Sequence, residues 1–237
     1  GHRARPLRRL PPGSRAHPPR RRRVVPTSRD LRGRRRRSAA IQTGRRVLLR
    51  APGLDDASAL AALARASRRL HRPWVHPPDT TRAVVRWMLA AGPSRHRLLV
   101  RRRADDAILG VVNLNEIVRG NLQSAYLGYY AFRPHAGQGY MTEGLALVLR
   151  HAFGGLGLHR LEANIQPGNR DSRGLVRRLG FRKEGFSPRY LKIGGRWRDH
   201  ERWAIVREAW ASGRAARGRG GPAPTGPPGR PTRRARA

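Results

Sequence analysis

The sequence predicts an α/β fold whose sheet is antiparallel in its front half, and three observations carry that reading. Several stretches alternate apolar and polar residues with period two, as half-buried strands do. Others repeat apolar residues at helical spacing and end at glycine. Their order is strand, two helices, three strands, helix, strand, helix, two strands, so helical crossovers return only in the second half of the domain.

Residues 47–49 (Val-Leu-Leu) open the series as a strand. After Pro52-Gly53, Asp55 or Asp56 is placed to cap a helix that carries Leu60, Leu63 and Ala64 on one face. Residues 71–78, His-Arg-Pro-Trp-Val-His-Pro-Pro, are excluded from helix, because the prolines lack donors and push their neighbours extended. Asp79 or Thr80 then starts a second helix with Val84, Trp87 and Met88 facing inward. Residues 98–101 and 108–114 read as strands joined by a tight turn at Asp105-Asp106. Residues 124–132 (Ser-Ala-Tyr-Leu-Gly-Tyr-Tyr-Ala-Phe) form the third strand of that group.

A turn at 133–139 leads into a helix on which Met141, Leu145, Val148, Leu149, Ala152 and Phe153 recur, down to Gly154-Gly155. Leu161, Ala163 and Ile165 then alternate with Glu162, Asn164 and Gln166 as a strand. A short helix with Leu175, Val176 and Leu179 closes at Gly180-Phe181, and residues 186–193 and 196–206 form a hairpin about Gly194-Gly195.

The stretch 124–153 organises the rest. A strand that enters Gly137-Gln138-Gly139 and leaves as a helix presents unpaired N–H groups, backed by the helix dipole, to whatever lies in front of them. Such a turn is an anion site, and a diphosphate fits it. Four segments in this order, Leu127-Gly128-Tyr129-Tyr130, Gly137-Gln138-Gly139-Tyr140-Met141-Thr142-Glu143, Asn169-x-x-Ser172 and Leu179-Gly180-Phe181, resemble the GCN5-related N-acetyltransferase (GNAT) family. Within it they are most similar to the RimJ/RimL-like ribosomal-protein N-terminal acetyltransferases. The likeness spans residues 124–181 and extends more loosely over 46–206.

The resemblance implies the GNAT fold, a mixed central sheet with helices on both faces. It also implies acetyl-CoA as co-substrate with no metal, and direct acetyl transfer to an amine through a ternary complex. Gly137, Gln138, Gly139, Tyr140, Met141 and Thr142 are then expected on the CoA diphosphate. Tyr130 and Ala131 are expected to pair their backbone with the pantetheine arm, and Asn169 to bind its amide. A backbone N–H of Tyr129 or Tyr130 is the expected oxyanion donor, with Gly128 suited to a bulge. Ser172 inherits the role of proton donor to the leaving thiolate, because the place of the tyrosine that many relatives use is Val176.

Ser172 also reads as a helix N-cap or first-turn residue, and Asn169 as a turn residue. Glu116, after the strand 108–114, is the candidate base, or else an exposed charged strand end. Glu143 lies in a first helical turn and suits the dipole there. His135 is a phosphate contact or an exposed turn residue. Loop 71–78 with Tyr190 and Trp197 is expected to border the acceptor site. Pro134 stands where the family often has Arg or Gln, which removes one phosphate contact.

The chain holds 52 basic residues against 14 acidic, a net +38, and lysine occurs only at Lys183 and Lys192. Residues 1–46 contain 17 arginines and one aspartate, and residues 211–237 contain seven arginines and no acid. These two tails, rich in Pro and Gly, lack the apolar surface to offset ordering entropy and are expected to be disordered around a domain at 47–210. Their arginines read as solvated tails or as an arm for weak RNA or ribosome association. The chain begins with Gly and its bias matches a GC-rich genome, so an over-extended reading frame over residues 1–40 stays open. Cysteine is absent, which excludes disulfides and a thiolate nucleophile.

No apolar run approaches the roughly 18 residues of a membrane span, so a cytoplasmic protein without membrane contact, monomer or homodimer, is expected. The expected acceptor is the N-terminal α-amine of a protein such as a ribosomal protein. The alternatives are a small-molecule amine, antibiotic or polyamine, and an RNA- or ribosome-binding module with a vestigial transferase fold.

Overall fold

A computed structural model describes residues 39–218, so residues 1–38 and 219–237 of the arginine-rich arms expected before and after the domain lie outside the described residues. Among the described residues eight strands form one sheet: β1 (Gln42–Thr43), β2 (Val47–Arg50), β3 (His96–Arg102), β4 (Ile108–Val118), β5 (Ser124–Ala131), β6 (Arg160–Ile165), β7 (Arg182–Ile193) and β8 (Arg196–Val206). Their order across the sheet is β1-β2-β3-β4-β5-β6-β8-β7, and β5 with β6 is the parallel pair. The antiparallel front half thus follows from the short connections between β2, β3, β4 and β5, and the parallel pair from a helical crossover.

Among the described residues six α-helices accompany the sheet: α1 (Ala57–Ala66), α2 (Arg68–His71), α3 (Thr81–Leu89), α4 (Tyr140–Arg150), α5 (Arg170–Leu179) and α6 (Arg207–Gly218). Alternation along the strands sends side chains into two cores. Val47, Leu49, Leu98, Val100, Val112 and Leu114 join α4 and α5 on one face. Leu99, Ile108, Val111 and Phe132 join α1 and α3 on the other. Helices on both faces are therefore present. No helix among the described residues is long and apolar enough to cross a membrane.

Several boundaries differ from the sequence reading. The fold starts before residue 47: β1 pairs with β2, and Ile41 packs on the core. It also runs beyond residue 210 as α6, whose Trp210 is buried. His71, expected in an irregular loop, ends the short helix α2, and the prolines take effect only from Pro73 onward. Thr80 caps α3 through its hydroxyl, which accepts from the Ala83 N–H. The hairpin of β7 and β8 turns on Gly194 and Gly195, both at positive φ, as a two-residue primed turn requires.

Asp56 does not cap α1 through its side chain. Its carboxylate is buried and accepts from Arg50 Nη2 at 3.0 Å, Arg101 Nη1 at 2.9 Å and the Gly53 N–H at 2.9 Å. The same acid therefore ties the start of α1 to β2 and β3. Removing it leaves the buried Arg50 guanidinium without that counter-ion while Arg101 keeps Asp106, and an uncompensated buried charge costs far more than an exposed pair. Asp56→Ala is expected to lower unfolding free energy by about 3–5 kcal/mol in urea denaturation. A loss below about 1 kcal/mol would show that the network contributes no more than a surface pair does.

Candidate active site

The site begins where two strands part. β5 and β6 pair only from Ser124↔Arg160 to Tyr126↔Glu162, after which both continue without pairing to each other. Antiparallel ladders alternate bonded and non-bonded residue pairs. The Phe132 N–H donates to the Leu109 carbonyl, so in the register of β4 and β5 Tyr130 exchanges bonds with Val111. Tyr129 and Ala131 then turn their N–H and C=O groups away from β4, into the fork. The backbone of Ala131 thus faces the fork, whereas that of Tyr130 faces β4. Of the two candidate oxyanion donors, the N–H of Tyr129 points to the fork.

A cavity of about 560 Å³ opens beside these groups, lined among others by Tyr129, Ala131, Gly137, Thr142, Asn169 and Ser172. At its outer end Gly137 and Gly139 both have φ of +78°, a left-handed conformation that turns the chain from β5 into α4. The first N–H groups of α4 lack intrahelical partners and carry the positive end of its dipole. Tyr140, Met141 and Thr142 start that helix, Met141 packing over Gly110. Gln138 is exposed and folds back, its Nε2 donating to the Pro134 carbonyl at 3.2 Å. His135 lines the cavity at its edge. Glu143 accepts from the backbone N–H of Arg46 at 2.7 Å and from its Nε at 3.1 Å, which fastens α4 to the start of β2. A fork with outward-facing N–H groups leading to a glycine-lined helix start fits an acyl-pantetheine arm followed by a diphosphate.

Ser172 sits in the first turn of α5, and its N–H donates to Asn169 Oδ1 at 3.1 Å, so Asn169 is the N-cap. The Ser172 hydroxyl lies 2.6 Å from the hydroxyl of Tyr129. Burial pushes the Tyr129 phenol up to about 12, against the Ser172 hydrogen bond, which lowers it. Its proton therefore stays in place at neutral pH. Two hydroxyls from strand and helix meet at the fork, on the face that carries α4 and α5. Nothing in the sequence links residues 43 positions apart.

The opposite face is roofed by the loop after α2. The Nε2–H of His71 donates to the Ala131 carbonyl at 2.7 Å, and burial lowers the pKa of this ring and keeps it neutral. Across the fork, Gln166 Nε2 donates to the Trp74 carbonyl at 3.2 Å, and the Trp74 ring lies against Gly168. Tyr190 of the hairpin reaches the same face beside Tyr126 and Glu162, while Trp197 is exposed at the hairpin end. Glu116 sits on a bulge of β4 with φ of 48°. It accepts from Arg95 Nη2 at 2.8 Å, stays largely exposed and does not line the cavity. Gly128 continues β5 without a bulge of its own.

A Cβ added at Gly137 meets no protein atom within 4 Å, so a side chain there is opposed by its φ and not by crowding. Gly137→Val is expected to cost about 1–2 kcal/mol of stability from the left-handed φ. It is expected to weaken CoA binding at least about tenfold, measured by calorimetric titration beside thermal melts. Unchanged CoA affinity would show that the turn only connects β5 to α4.

Comparison with known proteins agrees with this geometry. Residues 46–182 match the family model described as an acetyltransferase (GNAT) domain. A stretch of 103 residues is 44% identical to the "Probable N-acetyltransferase YjcK" of Bacillus subtilis, covering 44% of this chain and 57% of that protein. Over 107 residues the chain is 41% identical to the ribosomal protein uS5-alanine N-acetyltransferase of Escherichia coli, covering 45% of this chain and 55% of that protein. The chain thus spans a little over half the length of these curated relatives. The structure of Mycobacterium smegmatis RimJ in complex with CoA-disulfide matches with a TM-score of 0.65 at 29% identity, over 72% of this chain and 88% of that one. With the family model spanning the sheet from β2 to α5 and the fork and glycine turn in place, the chain belongs to the GNAT acetyltransferase family.

Proposed function

We propose that the protein transfers the acetyl group of acetyl-CoA to the N-terminal α-amine of a protein, of the kind a ribosomal protein presents. The observation that carries the transfer is the fork: backbone N–H groups of Tyr129 and Ala131 facing away from β4 on one side, the Tyr129 and Ser172 hydroxyls 2.6 Å apart beside it, and the glycine turn at its end. Acetyl-CoA supplies an activated thioester. The chain's residues hold it by backbone pairing along β5 and by the N–H groups at the start of α4. The Tyr129 N–H faces the place where negative charge gathers on the thioester oxygen as the amine attacks.

Carbon–nitrogen bond formation is matched by carbon–sulfur cleavage. The departing thiolate takes a proton from the Ser172–Tyr129 hydroxyl pair, and the amine's surplus proton passes to water. The pair regains its proton from solvent, so the enzyme ends unchanged. Both substrates stand in the fork together, which makes transfer direct.

The acceptor assignment rests on two supports. One is the 41% identity to an enzyme named for the alanine of ribosomal protein uS5. The other is proton affinity: an α-amine titrates near ~8 and a lysine side chain near ~10.4, so the former is free near neutrality with little help from a base. Glu116, bound to Arg95 and outside the cavity, offers little such help. The charge of the chain also disfavours polycationic amines.

Peptides beginning with Ala or Ser are expected to be acetylated at least about tenfold faster at pH 7 than the same peptides with a blocked α-amine and a free lysine. The rate should rise with pH as the α-amine loses its proton through about 8. It should then stay level to about pH 10, because the Tyr129 hydroxyl holds its proton up to about 12. Preference for the blocked peptide, turnover confined to spermidine, or a falling limb below pH 9 would contradict this reading.

A further inference from the structure

A second groove, of about 390 Å³, opens beside the glycine turn. It shares Gly139, Thr142 and Arg178 with the cavity, so the two meet where the diphosphate is expected. Thr142, Ala146 and Arg150 line it from α4 at four-residue spacing, which makes them one stripe running down the helix from the turn. Eight residues of α-helix rise about 12 Å, and helical side chains lean toward the N-terminus, so Arg150 leans back up the stripe. Arg178 and Leu179 of α5 and Trp210 of α6 line the groove from the neighbouring helices. A Cβ at Gly174 would come within 3.4 Å of Arg178 Nη1, so the missing side chain leaves this guanidinium its place at the junction of cavity and groove.

Ala146, Leu179 and Trp210 are apolar, whereas Arg150 and Arg178 are exposed cations with no carboxylate partner among the described residues. Glu143 also lines the groove, but its carboxylate is held by Arg46. Two unpaired guanidinium groups beside an apolar patch, continuous with a diphosphate site, suit a phosphorylated nucleoside.

We propose that the groove takes the 3′-phosphoadenosine end of CoA, with Arg150 and Arg178 pairing with the 3′-phosphate and the adenine lying on the apolar wall of Ala146, Leu179 and Trp210. The inference rests on the transferase reading above and names two residues by which the protein tells CoA from dephospho-CoA. A phosphate monoester carries close to two negative charges at neutral pH and three acceptor oxygens, and arginine binds such a group through paired N–H donors. The 3′-phosphate of CoA lies one ribose away from the diphosphate, which matches a groove that begins at the glycine turn and ends at two arginines. Trp210 stands outside residues 46–182 matched by the family model, so this wall of the groove comes from beyond the matched segment.

Calorimetric titration of the full chain with CoA and with dephospho-CoA is expected to show CoA binding at least about tenfold tighter. In the double variant Arg150→Ala, Arg178→Ala that preference is expected to fall below about threefold, through weaker CoA binding, with dephospho-CoA affinity staying within about threefold of wild type. Arg150→Gln and Arg178→Gln, taken singly, are each expected to lower the preference at least about threefold. Equal affinity of the wild type for the two ligands, or equal losses for both in the variants, would overturn the assignment. Binding of neither ligand would overturn the transferase reading, and the groove assignment with it.

Discussion

The parting of β5 from β6 is the constraint on which the rest of the molecule depends. Within a sheet, every backbone N–H and C=O that loses its neighbour must find another partner or stay hydrated. Three residue pairs hold the two strands together, and beyond them β5 continues alone on that side. His71 satisfies the Ala131 carbonyl from the roof loop, while the N–H groups of Tyr129 and Ala131 keep an open front. The turn at Gly137 and Gly139 then places a helix start at the end of the same open edge. Strand edge and helix start together form one continuous row of donors.

Both cores serve to keep that row in place. On one face, α4 and α5 pack over Val100, Val112 and Leu114, and Glu143 fastens α4 to Arg46. On the other, α1 and α3 cover Leu99 and Val111, with Asp56 binding arginines of two strands. Several arginines of this domain are bound internally. Arg97 donates to Asn113 and Asn115, and Arg160 to Glu162 and Glu184.

The elements that read clearly from sequence were those with local causes. Periodicity and glycine placed β5, α4, β6 and α5, because strand alternation, helical spacing and left-handed caps are written in neighbouring residues. The two-residue strand β1 and the helix α6 had no such local signal and stand by pairing and packing alone. Asp56 had the sequence position of a cap, but Arg50 six residues before it and Arg101 45 residues after it claim its carboxylate. The direction of the Tyr129 and Tyr130 backbones depends on strand register, which a single strand does not reveal. The meeting of the Tyr129 and Ser172 hydroxyls, and the groove lined by Arg150, Arg178 and Trp210, likewise arise only when separate elements come together.

Backbone alternation makes the central claim open to a residue-by-residue measurement. Amide hydrogen exchange of the protein, followed by NMR with and without CoA, reads each N–H of β5 separately. The account predicts strong slowing at Tyr129 and Ala131 on adding CoA, with little change at Tyr130, whose N–H is already held by Val111. Slowing at Tyr130 without slowing at Tyr129 and Ala131, or none along β5, would contradict it.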